Sequence, residues 1–199
     1  TVDLGKIDTL KPEIIKVSAE NGTMQDPDDE TKIIPIQTIT FIATDKYFDT
    51  TDSLDESEII VKINGETAKK KKKDLSIIDT FKADVNGDGT VANDEIVGYK
   101  YQLVLKEFEQ TGKQGGKDFV EWSGGVSIDI VAGAVKDKNG KSNNLTTIAG
   151  TFADFIKPQF IYEFSETTID QTNKKLEVTF YATDKYLNTL SDNTKVLTL

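Results

Sequence analysis

Along most of the chain apolar residues return at every second position, the period of a strand with one face in a core and the other in water. Leu176, Val178, Phe180 and Ala182 alternate with Lys175, Glu177 and Thr179, and Ile39, Phe41 and Ala43 set the same rhythm earlier. Runs of the same period are Ile59-Val61-Ile63, Leu75-Ile77, Tyr99-Tyr101-Leu103-Leu105 and Val126-Ile128-Ile130-Ala132, separated by turns rich in Gly, Asn, Asp or Lys. Asp137-Lys138-Asn139-Gly140 reads as a tight turn, because Asn-Gly takes the positive φ angles that a hairpin demands. No segment carries a convincing helical period. Short strands without βαβ spacing predict an all-β protein built as an antiparallel sandwich, with the inward side of each strand set by the alternation.

The pattern also repeats. Thr40-Phe41-Ile42-Ala43-Thr44-Asp45-Lys46-Tyr47 recurs as Thr179-Phe180-Tyr181-Ala182-Thr183-Asp184-Lys185-Tyr186, with Ile42 alone changed. Upstream, Ile7-Asp8-Thr9-Leu10-Lys11-Pro12 answers to Ala153-Asp154-Phe155-Ile156-Lys157-Pro158, and a shorter loop in the second copy, where the first has residues 21–31, absorbs the difference in spacing. Two motifs that keep their order predict a tandem repeat. The expected division is a first sandwich over 1–156 and the first part of a second over 157–199. The second copy is incomplete at Leu199, so the chain is expected to be a piece of a longer array, or residues 157–199 to complete a sandwich in a neighbouring copy.

Composition narrows the chemistry. Without His or Cys there is no Ser-His-Asp triad, no Cys nucleophile, no His-ligated zinc or haem and no disulfide, so the chain reads as a non-enzyme. A net charge of -10, from 34 acidic against 24 basic residues, opposes nucleic acid and anionic membrane surfaces, and no apolar run is long enough for membrane insertion. An acidic, oxygen-rich surface suits hard cations.

One segment states such a site outright. Asp84-Val85-Asn86-Gly87-Asp88-Gly89-Thr90-Val91-Ala92-Asn93-Asp94-Glu95 has the spacing of the twelve-residue EF-hand calcium loop. Asp84, Asn86 and Asp88 fall at the first, third and fifth positions, the Thr90 carbonyl at the seventh and a bidentate Glu95 at the twelfth. Gly89 permits the sharp turn, Ala92 would act through water and Val91 is the expected apolar anchor. The opening of the loop resembles dockerin calcium loops, but Ile96 to Phe108 alternates like a strand. The expectation is therefore an isolated calcium loop between two strands, with calcium as the cofactor and Asp84, Asn86, Asp88, Thr90 and Glu95 as its ligands.

The whole pattern resembles the bacterial immunoglobulin-like tandem repeats of large cell-surface proteins. The resemblance rests on Ala43-Thr44-Asp45-Lys46-Tyr47-Phe48, on Tyr99 to Leu105, and on Val126 to Asn143 with Ala132-Gly133-Ala134-Val135-Lys136-Asp137-Lys138-Asn139-Gly140. It implies an Ig-like sandwich displayed in tandem at the bacterial cell surface, outside the cell, with neighbouring repeats as partners. The function it implies is a calcium-stabilised stalk or fibre module; the alternatives are an adhesive or carbohydrate-binding module with a host glycan or protein ligand, an accessory domain of a surface hydrolase, or a self-assembling filament subunit. Such modules sometimes carry a Lys-Asn isopeptide bond, for which no trio stands out here. Lys69 to Lys73, and Asp26, Asp28, Asp29 and Glu30, read as solvated loops. Tyr47, Phe48 and Trp122 are the candidate sugar platforms, although the recurrence of Tyr47 as Tyr186 is more simply packing.

Overall fold

The computed structural model describes residues 8–68, 70–109 and 123–154, together with four short strands of the remainder. The chain divides into two compact units, Thr1–Ala153 and Asp154–Leu199. In the first, the strands are β1 (Glu13–Asp26), β2 (Asp29–Thr44), β3 (Ile59–Ile63), β4 (Glu66–Thr67), β5 (Lys70–Lys82), β6 (Ile96–Glu109), β7 (Ser123–Ile130) and β8 (Thr146–Asp154). They form two four-stranded sheets, ordered β1-β2-β6-β5 and β4-β3-β7-β8, with antiparallel pairing. The helical element among the described residues is a single 3₁₀ turn, Glu56–Glu58, capped by the Asp55 carboxylate and closed by Glu58 in return. The protein is an all-β sandwich.

The alternation assigns the core. Ile39, Phe41 and Ala43 on β2 and Tyr101, Leu103 and Leu105 on β6 are buried from one sheet, and Ile59, Val61, Ile63, Val126, Ile128 and Ile130 from the other. Phe41 and Tyr101 stack with ring centroids 5.4 Å apart, and burial pushes the Tyr101 hydroxyl up to about 12. One polar side chain enters this core. The amide nitrogen of Gln37 on β2 donates to the Thr151 hydroxyl on β8 (2.8 Å) and to Asn21 Oδ1 (2.8 Å), which ties the two sheets together.

Three expectations are corrected. Residues 21–31 are no loop: β1 and β2 run as one long hairpin that turns at Pro27-Asp28. Its tip holds Asp26, Asp28, Asp29 and Glu30, and Asp29 is engaged by Lys32 at 2.6 Å and by Thr31. The hairpin continues because alternating side chains through Ile33 and Pro35 can pair with β1 beyond Gln37, where the β6 ladder ends. The lysine run opens β5 as a strand, Lys70 to Lys73 pairing with β6, and the Lys73 ammonium donates to the carbonyls of Glu56 and Ile59. Finally, a bulge between Ile77 and Asp79 breaks the period of β5, so Ile77 and Ile78 are both half-exposed on an outer strand.

One ladder of the second unit repeats the register of the first. In the first copy Glu13, directly after Pro12, pairs with Thr44, and the ladder continues through Ile14 with Ala43 and Ile15 with Ile42. In the second, β9 (Gln159–Tyr162) pairs with β12 (Phe180–Thr183), so that Gln159, directly after Pro158, meets Thr183, Phe160 meets Ala182 and Ile161 meets Tyr181. Between them β10 (Ile169–Asp170) and β11 (Lys175–Leu176) make a shorter hairpin.

The outer face of the second sheet carries an ion pair whose carboxylate is buried. Asp129, 4% exposed, is bonded to the Lys62 ammonium and to the Thr147 hydroxyl (2.7 Å). Lys62 and then Thr147 hold its carboxyl below the usual carboxylate range. A carboxylate held low in the fold contributes stability that is complete above its unfolded value of about 3.9 and disappears as pH falls through the folded value. Asp129→Asn should therefore unfold at lower urea than the parent chain at pH 7, with the gap closing below about pH 3. A gap that stays constant from pH 7 to 2.5 would show that the ionised form contributes nothing.

Candidate metal centres

Two places gather oxygen ligands. The first is the β5–β6 connection, residues 83–95, which lies between two strands with no helix on either side. The loop curls on itself because Gly87 and Gly89 take φ of 80° and 86°, which a side chain resists. Asp84 accepts from the Gly87 amide (2.5 Å) and from the Gly89 amide (2.8 Å). Glu95 reaches back across the loop, Oε1 accepting from Val85 (3.1 Å) and Oε2 from Ala92 (2.8 Å). The first and twelfth positions thus both turn inward. Asn86 and Asp88 bond to each other, Asn86 Nδ2 donating to Asp88 Oδ2 at 3.0 Å, and the Thr90 amide donates to Asp88 Oδ1. The donors offered here are all oxygen, the ligand type that calcium takes. Val91 is 53% exposed, so it is not the apolar anchor expected from the sequence.

The second place is at the end of the sandwich. Asp8, in the segment leading into β1, Asp45, at the end of β2, and Asp137, in the turn after β7, each offer a carboxylate oxygen, all within 4.8 Å of one another. Among the described residues, no three carboxylates of the β5–β6 loop come as close together. Backbone pairing fixes the arrangement. Phe48 bridges Asp137, the Lys138 amide donates to the Tyr47 carbonyl (2.7 Å), and the Asp45 amide donates to the Val97 carbonyl (2.9 Å). The predicted turn at 137–140 forms, with Gly140 at φ 80° and its amide on the Asp137 carbonyl (3.0 Å). Burial, followed by the nearby carboxylates of Asp8, Asp137 and Glu13, raises the Asp45 carboxyl above its ordinary range, against a lowering by the Tyr47 amide.

Sequence reasoning passed over this group although its parts were in view. Asp8 and Asp45 sit in the two motifs that recur, as Asp154 and Asp184, and Asp137 opens the Asn-Gly turn. Each has an adequate local reading as a turn residue, so linear spacing alone offered no reason to join them. Of the aromatic candidates, Phe48 is buried edge-on against Tyr99 (centroids 5.3 Å apart, 87° between planes) and offers no face to a sugar. Tyr47 is half-buried, with the Lys46 ammonium over its ring at 5.3 Å, and Trp122 lies outside the described residues.

No protein-family model, no curated protein and no solved structure matches the chain.

Proposed function

We propose that the chain is a non-catalytic structural module of a tandem-repeat stalk or fibre at a bacterial cell surface, stiffened by calcium. The observation that supports this reading is that the four described pairs of Gln159–Tyr162 with Phe180–Thr183 take the register of Glu13–Lys16 with Phe41–Thr44, within motifs that the sequence repeats. Copies built to one register are what an extended array of like units needs. The two-sheet architecture supports the Ig-like resemblance, and the absence of His and Cys from the sequence leaves few routes to enzymatic chemistry.

In this reading Asp84, Asn86, Asp88, the Thr90 carbonyl and Glu95 hold calcium in the β5–β6 loop. The ion neutralises carboxylates that otherwise face one another and draws the loop's two ends together. An isolated loop binds in the range of about 0.1 to 1 mM typical of extracellular modules, so it fills outside cells and empties inside them. Stabilisation grows with excess over the dissociation constant, reaching about 2.7 kcal/mol at a hundredfold.

Calorimetric titration of calcium into the full chain and into Glu95→Gln tests the loop. The stoichiometry is expected to fall by one in the variant while the unliganded fold keeps its far-ultraviolet spectrum. Equal stoichiometry and affinity in the two proteins would remove calcium from this loop.

A further inference from the structure

We propose that Asp8, Asp45 and Asp137 form a second binding site, for a divalent cation and by preference calcium, which fastens the segment leading into β1 to the body of the first unit. The site uses none of the residues of the β5–β6 loop and stands or falls separately from it.

The deciding atom belongs to Asp137. This residue is 1% exposed, its Oδ1 accepts from the amides of Asn139 (2.9 Å) and Lys141 (2.7 Å), and its Oδ2 is buried with no hydrogen-bond partner. A buried carboxylate oxygen without a partner carries a desolvation cost that a fold tolerates when something else satisfies it. The other two carboxylates are arranged alike. Asp45 gives Oδ1 to the Tyr47 amide (2.7 Å), and Asp8 gives Oδ1 to the Leu10 amide (3.0 Å) while its Oδ2 has Asn139 Nδ2 at the long distance of 3.4 Å. Asp45 and Asp137 are thus each oriented through one oxygen, and Asp137 keeps a buried second oxygen beside the other two carboxylates. Among the described residues, no lysine or arginine forms an ion pair with Asp8, Asp45 or Asp137, so the group is not an ordinary ion-pair cluster.

A divalent ion answers both needs. Oxygens at 2.3 to 2.6 Å from one calcium can lie up to about 5 Å apart, which spans the observed spacing, and water can complete the shell. Magnesium, with oxygens at about 2.0 to 2.1 Å in a strict octahedron, fits less well. The repeat adds an independent argument. Asp8 stands four residues before Pro12 and Asp45 directly after Thr44; Asp154 stands four before Pro158 and Asp184 directly after Thr183. The residues directly after those prolines, Glu13 and Gln159, pair with those threonines in both copies. A device that ties each lead-in segment to its own unit would be repeated in this way.

The test uses the full chain with Glu95→Gln, which silences the β5–β6 loop, titrated with calcium chloride or magnesium chloride alone. One calcium site is expected to remain, with magnesium about tenfold weaker, and Asp137→Asn or Asp8→Asn in that background should weaken it about tenfold or more. Asp8 lies outside any strand, so its variant is expected to fold even if the Asp137 variant does not. In chelator, Asp137→Asn should melt no lower than its parent, because it removes an unpaired buried charge, yet it should lose the calcium-induced rise in melting temperature. A purely structural Asp137 would instead lower melting equally with and without calcium. The proposal is overturned by that equal lowering, by an absence of calcium binding to the Glu95→Gln chain up to about 10 mM, or by binding that survives both Asp substitutions.

Discussion

Phe41→Ala is expected to lower the stability of the first unit by about 3 to 5 kcal/mol, enough to bring an ordinary domain close to unfolding at room temperature. Phe41 is fully buried near the C-terminal end of β2, between the β1 and β6 ladders, and its ring stacks on Tyr101 at 5.4 Å with 16° between planes. Truncation removes the transfer energy of the ring and leaves a cavity that two paired neighbours prevent from closing. Urea unfolding should show a lower midpoint with an unchanged slope. Ile33→Ala, at the far end of the same strand and 73% exposed, is the control and should stay within about 0.5 kcal/mol of the parent. A Phe41→Ala cost below about 1 kcal/mol would mean that the alternation has been assigned to the wrong face of β2.

That face was legible in the sequence. A period of two over Ile39, Phe41 and Ala43 admits only two orientations, and the repeat of the same residues at 178–182 selects the apolar one. The same logic placed Ile59-Val61-Ile63 and Tyr101-Leu103-Leu105 correctly, since a strand between two neighbours must bury what alternates, while Tyr99 at the start of that run is only half-buried. Reading the edges was harder. In β5 a bulge at Ile78 resets the period, and a lysine run that looks solvated becomes a strand because β6 supplies backbone partners that composition does not reveal. The long β1–β2 hairpin was hidden for the same reason: Asp26 to Glu30 have the composition of a loop, but two residues suffice to turn.

Site residues divide along the same line between local and distant. The β5–β6 loop is contiguous, so twelve consecutive residues displayed its donor spacing before any fold was known. Asp8, Asp45 and Asp137 come from three separate connections; the pairing of residues 47–49 with 136–138 brings Asp45 and Asp137 together, and Asn139 reaches Asp8. The sequence signal that bore on them was the repeat itself, since the motifs shared by the two copies carry an Asp each as well as core residues.

The join between core and site makes Gly98 the second sensitive position. Gly98 pairs with Thr44 where β2 meets the start of β6, and a methyl group there would lie 2.5 Å from the Ala43 carbonyl oxygen and 3.0 Å from Thr44 Cα. Those are backbone atoms held by the β1 and β6 ladders, so no side-chain rotation relieves the clash and the strands must part. Gly98→Ala is expected to cost about 3 kcal/mol, at the upper end of overpacking effects. Gly22→Ala, in β1, meets its nearest atom at an ordinary 3.8 Å and should be neutral or slightly stabilising, because alanine restricts the unfolded chain. The consequence reaches beyond stability. Val97 accepts both the Asp45 amide (2.9 Å) and the Thr44 hydroxyl (2.7 Å), so separating β2 from β6 at this point moves the segment that presents Asp45. Folded Gly98→Ala, prepared at low temperature, should therefore bind calcium more weakly at the Asp8, Asp45 and Asp137 group while the β5–β6 loop keeps its affinity. A Gly98→Ala chain as stable as the parent would contradict the close approach of the two strands; a destabilised chain with full affinity at the three aspartates would show that Asp45 is held in place by something other than Val97.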